Sequence, residues 1–169
     1  KQVTMTLGAV SVPCFVPASA LGRSGQAAPS DRIIVGVIGT AGRGQYLIRA
    51  FMKEPDVQVV AVCDVDSKFR EIGQSLVHKQ YENKDCVAFK DFRELAARPD
   101  INAAVVATPD HWHALASIAA LDAGKDVFCE KPLANSVAEG RAICEAVRRN
   151  NRVLQTGSHE RSGPNARFA

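Results

Sequence analysis

From Arg32 to Thr156 the chain repeats one rhythm. A short β-branched apolar run is followed by a longer segment whose apolar residues recur every three or four positions. The first run is Arg32 to Ile38, closed by Gly39. The segment Gly42 to Glu54 sets Leu47, Ala50 and Phe51 on one helix face and stops at Pro55. Val57 to Val62 is a second run, ending at Cys63-Asp64, and Ser67 to about Tyr81 is helical with Phe69, Ile72 and Leu76 on one side. Cys86 to Phe89 is a short strand, and Asp91 with Glu94 fits a capping box. The second half continues with a strand at Ala103 to Ala107, a helix from Pro109 to Ala123, and a strand at Val127 to Cys129. A second capping box, Ser136 with Glu139, opens a helix to about Arg149, and Val153 to Thr156 is the last strand.

Runs that are apolar on both sides predict strands covered on both faces, and strands alternating with helices predict a parallel sheet. The fold class expected is α/β: a doubly wound parallel (Rossmann) sheet, because right-handed crossovers make the strand order 3-2-1-4-5-6 the natural one. In such sheets ligands bind beyond the carboxyl ends of the strands, where the strand order reverses. Functional residues are therefore sought at strand tips.

The rest of the chain reads differently. Val3 to Val16 is apolar and uncharged, follows Lys1, and precedes Ala18-Ser19-Ala20, an A-x-A cleavage pattern. Residues 1–20 are read as the remnant of an export signal and 21–30 as a Gly/Ala/Pro/Ser linker, the competing reading being an apolar tail on a cytoplasmic protein. Residues 31–157 are the folded domain, and 158–169 begin a connection onward. A net charge of +3, with 6% aromatics and no basic run, leaves nucleic-acid binding without a footing. Once the signal is removed no membrane association is expected, since the apolar run is short for a span. Cysteines 14, 63, 86, 129 and 144 form no C-x-x-C, and His111 and His113 diverge by about 200° on a helix, so no metal site is expected.

After the first strand comes Gly39-Thr40-Ala41-Gly42-Arg43-Gly44. Against G-x-G-x-x-G, glycine holds the first and third positions and Ala41 the second. Bare amides at a helix start can cradle a pyrophosphate, although a tight strand-to-helix turn without ligand has the same look. Asp64 ends the second strand, near the ~20 residues at which an acid holds the adenosine ribose. Such a carboxylate accepts from ribose hydroxyls and repels a 2′-phosphate. NAD is favoured over NADP, with Arg43 keeping NADP open. The alternative for Asp64 is a helix N-cap.

The fourth strand ends in Thr108-Pro109-Asp110-His111-Trp112-His113 and the fifth in Cys129-Glu130-Lys131-Pro132. Together with GVIGTAGRG, CDVD and LQTGSHERS, these segments make the chain from Arg32 onward resemble the Gfo/Idh/MocA oxidoreductases, the glucose–fructose oxidoreductase and inositol dehydrogenase family. The resemblance implies that Gly39, Thr40, Ala41, Gly42, Arg43 and Gly44 hold the pyrophosphate and Asp64 the adenosine ribose. It implies that Thr108, Trp112 and His113 line the nicotinamide side and that Glu130 binds the nicotinamide ribose. Lys131, the one catalytic candidate, would lie between cofactor and substrate with a cis Lys131–Pro132 bond. An ammonium there stabilises a developing alkoxide and relays its proton. A surface ion pair at a strand exit is the alternative for Glu130 and Lys131.

The resemblance also implies a C-terminal substrate domain that these residues lack, with a D-x-x-x-H or K-x-x-x-H that does not occur here. The parent protein is thus expected to oxidise a sugar or polyol, and this chain alone to bind cofactor without efficient turnover. A homo-oligomer of the full-length protein is left open. Residues 1–30 resemble the twin-arginine signals of exported members, without the arginine pair, which points to the periplasm or outside, with the cytoplasm as alternative. A non-enzymatic NAD sensor or scaffold and an NAD-dependent glycosidase are the rival functions; a methyltransferase-like nucleotide domain would not need the Glu-Lys-Pro.

Overall fold

The computed structural model describes residues 27–158 and Arg161. The signal and most of the linker inferred from sequence lie outside these residues. Six strands, β1 (Ile33–Ile38), β2 (Val57–Cys63), β3 (Val87–Phe89), β4 (Ala103–Val106), β5 (Asp126–Cys129) and β6 (Leu154–Thr156), form one sheet. All pairings are parallel, in the order β3-β2-β1-β4-β5-β6. This is the doubly wound order expected from the sequence.

Helices α1 (Gly42–Phe51) and α2 (Ser67–Tyr81) cover one face, where Leu47, Ile48 and Val77 pack on Val35, Val37, Val59 and Val62. Helices α3 (Phe92–Ala96), α4 (His113–Asp122) and α5 (Val137–Asn150) cover the other, joining Ile38, Ala61, Ala104 and Val106 in a second core. Each fully buried aliphatic side chain contributes about 1.5–3 kcal/mol of transfer free energy. In α4, Ala114, Ala116 and Ala120 are buried, and such small side chains let the helix lie close to the sheet.

Local chemistry sets the helix ends. Asp66 caps α2 by accepting from the Lys68 amide, and Asp91 caps α3 by accepting from the Arg93 amide. Ser136 accepts from the Glu139 amide, while the Glu139 carboxylate reaches back to the amide of Asn135, one residue before the expected box partner. One difference from the sequence reading matters for the site. The helix expected from Pro109 opens instead as a 3-10 turn, Asp110–Trp112, and α4 begins at His113. Pro109 at φ −58 and ψ 150 is extended, so the α-helical ladder cannot start there.

Register brings the strand tips into one row. Phe89, Cys63, Ile38, Val106, Cys129 and Thr156 are mutual partners across the sheet. The residues that follow them therefore stand side by side: Asp64 after β2, Gly39 after β1, Glu130 after β5 and Gly157 after β6.

Candidate dinucleotide site

At the centre of that row the chain turns from β1 into α1. Gly39 sits at φ +88, where L side chains are strained, and a Cβ there would stand 2.5 Å from the Ala107 carbonyl oxygen. A Cβ on Gly44 would stand 1.9 Å from the Gly39 carbonyl oxygen, so the third glycine lets the helix start press onto the turn. Ala41, the departure from the glycine pattern, is extended at φ −75 and ψ 172 and serves as N-cap residue of α1. That conformation accepts alanine without strain. The bare amides of this helix start remain a suitable cradle for an anion.

The turn is fastened on both sides. On the β2 side, Asp64 Oδ2 accepts from the Thr40 amide at 2.7 Å and from Thr40 Oγ1 at 3.2 Å, and Oδ1 accepts from the Asp66 amide at 3.0 Å. Asp64 is thus not the N-cap of α2, a place that Asp66 takes. A carboxylate offers about four acceptor positions, which leaves capacity for a further hydroxyl. On the β5 side, Arg43 Nε donates to Glu130 Oε1 at 2.7 Å, and the guanidinium lies 4.5 Å from the Tyr46 ring centre. The Glu130 side chain is only 4% exposed. Its Oε2 accepts from the Lys131 amide, and Gly157 backs its carboxylate so closely that a Cβ there would come within 3.1 Å. Lys131 and Pro132 are exposed, and the bond between them is cis, as the resemblance implied.

A cavity of about 380 Å³ opens beside Asp64, lined by Val65, Phe92, Thr108, Pro109 and Trp112 among others. Its size and largely apolar wall suit a planar base with a sugar attached. Thr108 Oγ1 is buried without a hydrogen-bond partner among the described residues, a group that a ligand hydroxyl can satisfy.

Those features agree with what the comparisons find. Residues 33–158 match the Gfo/Idh/MocA family, described as "Oxidoreductase family, NAD-binding Rossmann fold". The chain belongs to this family. An inositol 2-dehydrogenase of Rubrobacter xylanophilus is 34% identical over 137 residues, 80% of this chain and 38% of that protein. A glycosyl hydrolase family 109 protein of Solibacter usitatus is 34% identical over 116 residues, 66% of this chain and 26% of that protein. The chain thus spans well under half the length of these curated relatives. In fold it is similar to a scyllo-inositol dehydrogenase from Lactobacillus casei solved with NAD(H) and scyllo-inositol, at a TM-score of 0.71 and 22% identity, covering 81% of this chain and 39% of that one.

As a Gfo/Idh/MocA nucleotide-binding domain, the chain carries an NAD-binding Rossmann fold, and its residues fit the cofactor. The glycine turn leaves room where side chains would intrude, Asp64 keeps acceptor capacity, and Glu130 stands across the turn from it. The group read together as the nicotinamide side, Thr108, Trp112 and His113, is divided by the fold. Trp112 packs edge-on against Phe92, ring centres 6.1 Å apart, and lines the same cavity as Asp64. Thr108 lines that cavity too. His113 does not face the cleft: it is 1% exposed, and its ring nitrogens meet the carbonyls of Pro132 and Thr108. The 3-10 turn comes just before it, and His113 holds the buried first position of α4. Two contacts escaped the sequence reading, the Arg43–Glu130 ion pair and the part of Tyr46 in holding Arg43. The alternative read from sequence paired Glu130 with Lys131, and nothing in the triplet pointed to Arg43, which the structure sets on Glu130.

Proposed function

We propose that this chain is the cofactor-holding half of a sugar or polyol dehydrogenase, with NAD lying over the row Asp64, Gly39 and Glu130. The observation that carries this reading is the convergence of that row around one turn, with Lys131 exposed immediately beyond Glu130. When bound, the nicotinamide takes a hydride, with its electron pair, from a carbinol carbon. The hydroxyl on that carbon must then lose its proton as the C–O bond becomes a carbonyl. The Lys131 ammonium offsets the charge developing on that oxygen and takes up the hydroxyl proton as it gives one of its own to water, an effect worth about 10²–10⁴ in rate. Glu130, oriented by Arg43 and by the Lys131 amide, receives the nicotinamide ribose hydroxyls. The pyrophosphate falls to the amides of the Gly39–Gly44 turn, and Asp64 takes the adenosine ribose and favours NAD over NADP.

The likeness to inositol dehydrogenases supports a polyol substrate, held by a further domain, since this chain covers only 38% of the Rubrobacter xylanophilus relative. The test is a fluorescence titration of the chain with NADH, followed by incubation with NAD and inositols or sugars. Saturable binding without accumulation of NADH is expected. In the protein carrying a substrate domain, Lys131→Ala should leave NADH affinity within about twofold and cut turnover at least about 100-fold. Absence of NADH binding overturns the cofactor reading, and unchanged turnover overturns the role of Lys131.

A second reading draws on the glycosyl hydrolase family 109 relative. There NAD would be reduced and reoxidised within one cycle, so glycoside cleavage with no net NADH formation would select it over the dehydrogenase.

A further inference from the structure

We propose that His113 is a positioning residue: by donating from both ring nitrogens, it ties the loop after β5 to the end of β4 and so fixes where Glu130 and Lys131 stand. The inference rests on the NAD-binding reading above and adds a residue that holds the site without touching cofactor.

The geometry carries it. The Nδ1 atom of His113 meets the Pro132 carbonyl oxygen, and Nε2 lies 2.9 Å from the Thr108 carbonyl oxygen. Carbonyl oxygens only accept. A neutral imidazole has one N–H and would turn its other lone pair against one of the two oxygens. The arrangement is satisfied when both nitrogens carry protons. Burial and a place at the first position of α4 both oppose a cation, so the contacts must outweigh them. They do. A hydrogen bond with the Cys129 side chain acts first and, with the carbonyls of Pro132 and Thr108, overcomes desolvation and pushes the His113 pKa up to about 9.

The loop needs such a tie. Among the described residues, positions 131–135 make no backbone–backbone hydrogen bond. Leu133 and Ala134 pack against the core, and the hydrogen bonds at the ends of the segment are the Lys131 amide on Glu130 Oε2 and the Asn135 amide on Glu139 Oε2. Pro132 has no N–H to give and follows Lys131 directly, so the bond to its carbonyl holds the chain one residue beyond the lysine. The other end of the tie, Thr108, is where β4 leaves the sheet. One buried ring thus connects two strand-end loops that share no strand pairing beyond Val106 and Cys129.

Two measurements test this. In the free chain at pH 7, nitrogen NMR of His113 is expected to show both ring nitrogens protonated. Binding of NADH and of ADP is then compared in wild type, His113→Phe and His113→Gln. ADP reaches the Asp64 side but lacks the nicotinamide riboside that Glu130 would meet. Phenylalanine keeps the ring volume without donors, and a loss of about tenfold in NADH affinity with ADP within twofold is expected, with partial recovery in His113→Gln. If His113→Phe does not fold, His113→Gln is read alone, with a smaller loss confined to NADH. An unprotonated ring nitrogen, a parallel fall in both affinities, or unchanged NADH affinity overturns the proposal. If wild type binds NADH no better than ADP, the placement of the nicotinamide at Glu130 fails instead, and the ring-nitrogen protonation still decides whether the double tie exists.

Discussion

The two flanks of the β1 turn are built by different means. Toward β2 the bonds are short and made largely by backbone: the Gly39 amide donates to the Cys63 carbonyl, and the Thr40 amide donates to Asp64. Toward β4 the backbone still holds, the Ala107 amide donating to the Ile38 carbonyl; toward β5 long side chains take over, Arg43 reaching Glu130 and His113 reaching Pro132 and Thr108. The turn, packed between β2 and the Ala107 backbone after β4, is a rigid seat that steric fit defines. The flank toward β5 is an adjustable frame held by charge and by a titrating ring. A cofactor that is anchored at one end and must present a reactive ring at the other suits that division, because chemistry needs placement within about 0.5 Å at the reactive end.

The largest effect that breaks the comparison falls on the seat. Gly44→Val puts a Cβ where the Gly39 carbonyl oxygen lies 1.9 Å away, and both partners are backbone. A cost of about 3 kcal/mol or more and loss of NADH binding are expected, read by urea unfolding and fluorescence titration. Gly42→Ala is the control, since nothing lies within 4 Å of a Cβ there. It should leave stability unchanged or raise it by about 0.4–1 kcal/mol, because alanine has less freedom to lose on folding.

A smaller effect belongs to the frame and depends on pH. His113 is raised in the folded chain to about 9 from an ordinary 6.5, so between those values the folded state holds a proton that the unfolded state has released. Its stabilisation is complete below pH 6.5 and is lost as pH rises toward about 9, on the order of 2–3 kcal/mol in all. Urea midpoints measured across that range should fall in wild type and stay level in His113→Phe. Above pH 9 a further decline is expected in both proteins. Burial, first among its causes, pushes the Cys63 and Cys86 thiols up to about 12, while unfolded thiols ionise near 9. A wild-type midpoint that stays level from pH 6.5 to 9 would leave the β4–β5 flank without its titrating tie.

How the sequence disclosed each flank follows from the same difference. The seat was legible because it is local: a glycine pattern after an apolar run and an acid at the next strand tip are signals of spacing. Strand order was legible because periodicity and crossover handedness leave few arrangements. The frame was legible only in its residue types. Glu130, Lys131 and Pro132 announced a site, but Arg43 and Glu130 are 87 positions apart and no periodicity couples them. His113, which the resemblance set on the nicotinamide side, is buried at the first position of α4, after a 3-10 turn that helical spacing alone does not predict. Trp112 lines the cavity beside Asp64.

The smallest effect sharpens the seat by separating its shape from its charge. In Asp64→Asn the amide oxygen can still accept from the Thr40 amide, while the nitrogen in place of Oδ1 no longer accepts from the Asp66 amide, so the turn should keep its form and unfolding should shift by about 1–2 kcal/mol. What is lost is the negative charge facing the ribose. NADH affinity should fall by about tenfold, which corresponds to about 1.4 kcal/mol, and the preference for NADH over NADPH should narrow by at least as much, both read by fluorescence titration. A 2′-phosphate would then meet a neutral amide in place of a carboxylate, with Lys90 and Arg93 on the wall of the same cavity. If affinity falls and the preference does not move, selection against the phosphate lies in the placement of those two cations: Arg93 is held by Asp91 and laid over Phe92. A guanidinium paired with Asp91 has less charge to offer a phosphate, and the seat would then exclude NADP by keeping its own positive charge engaged.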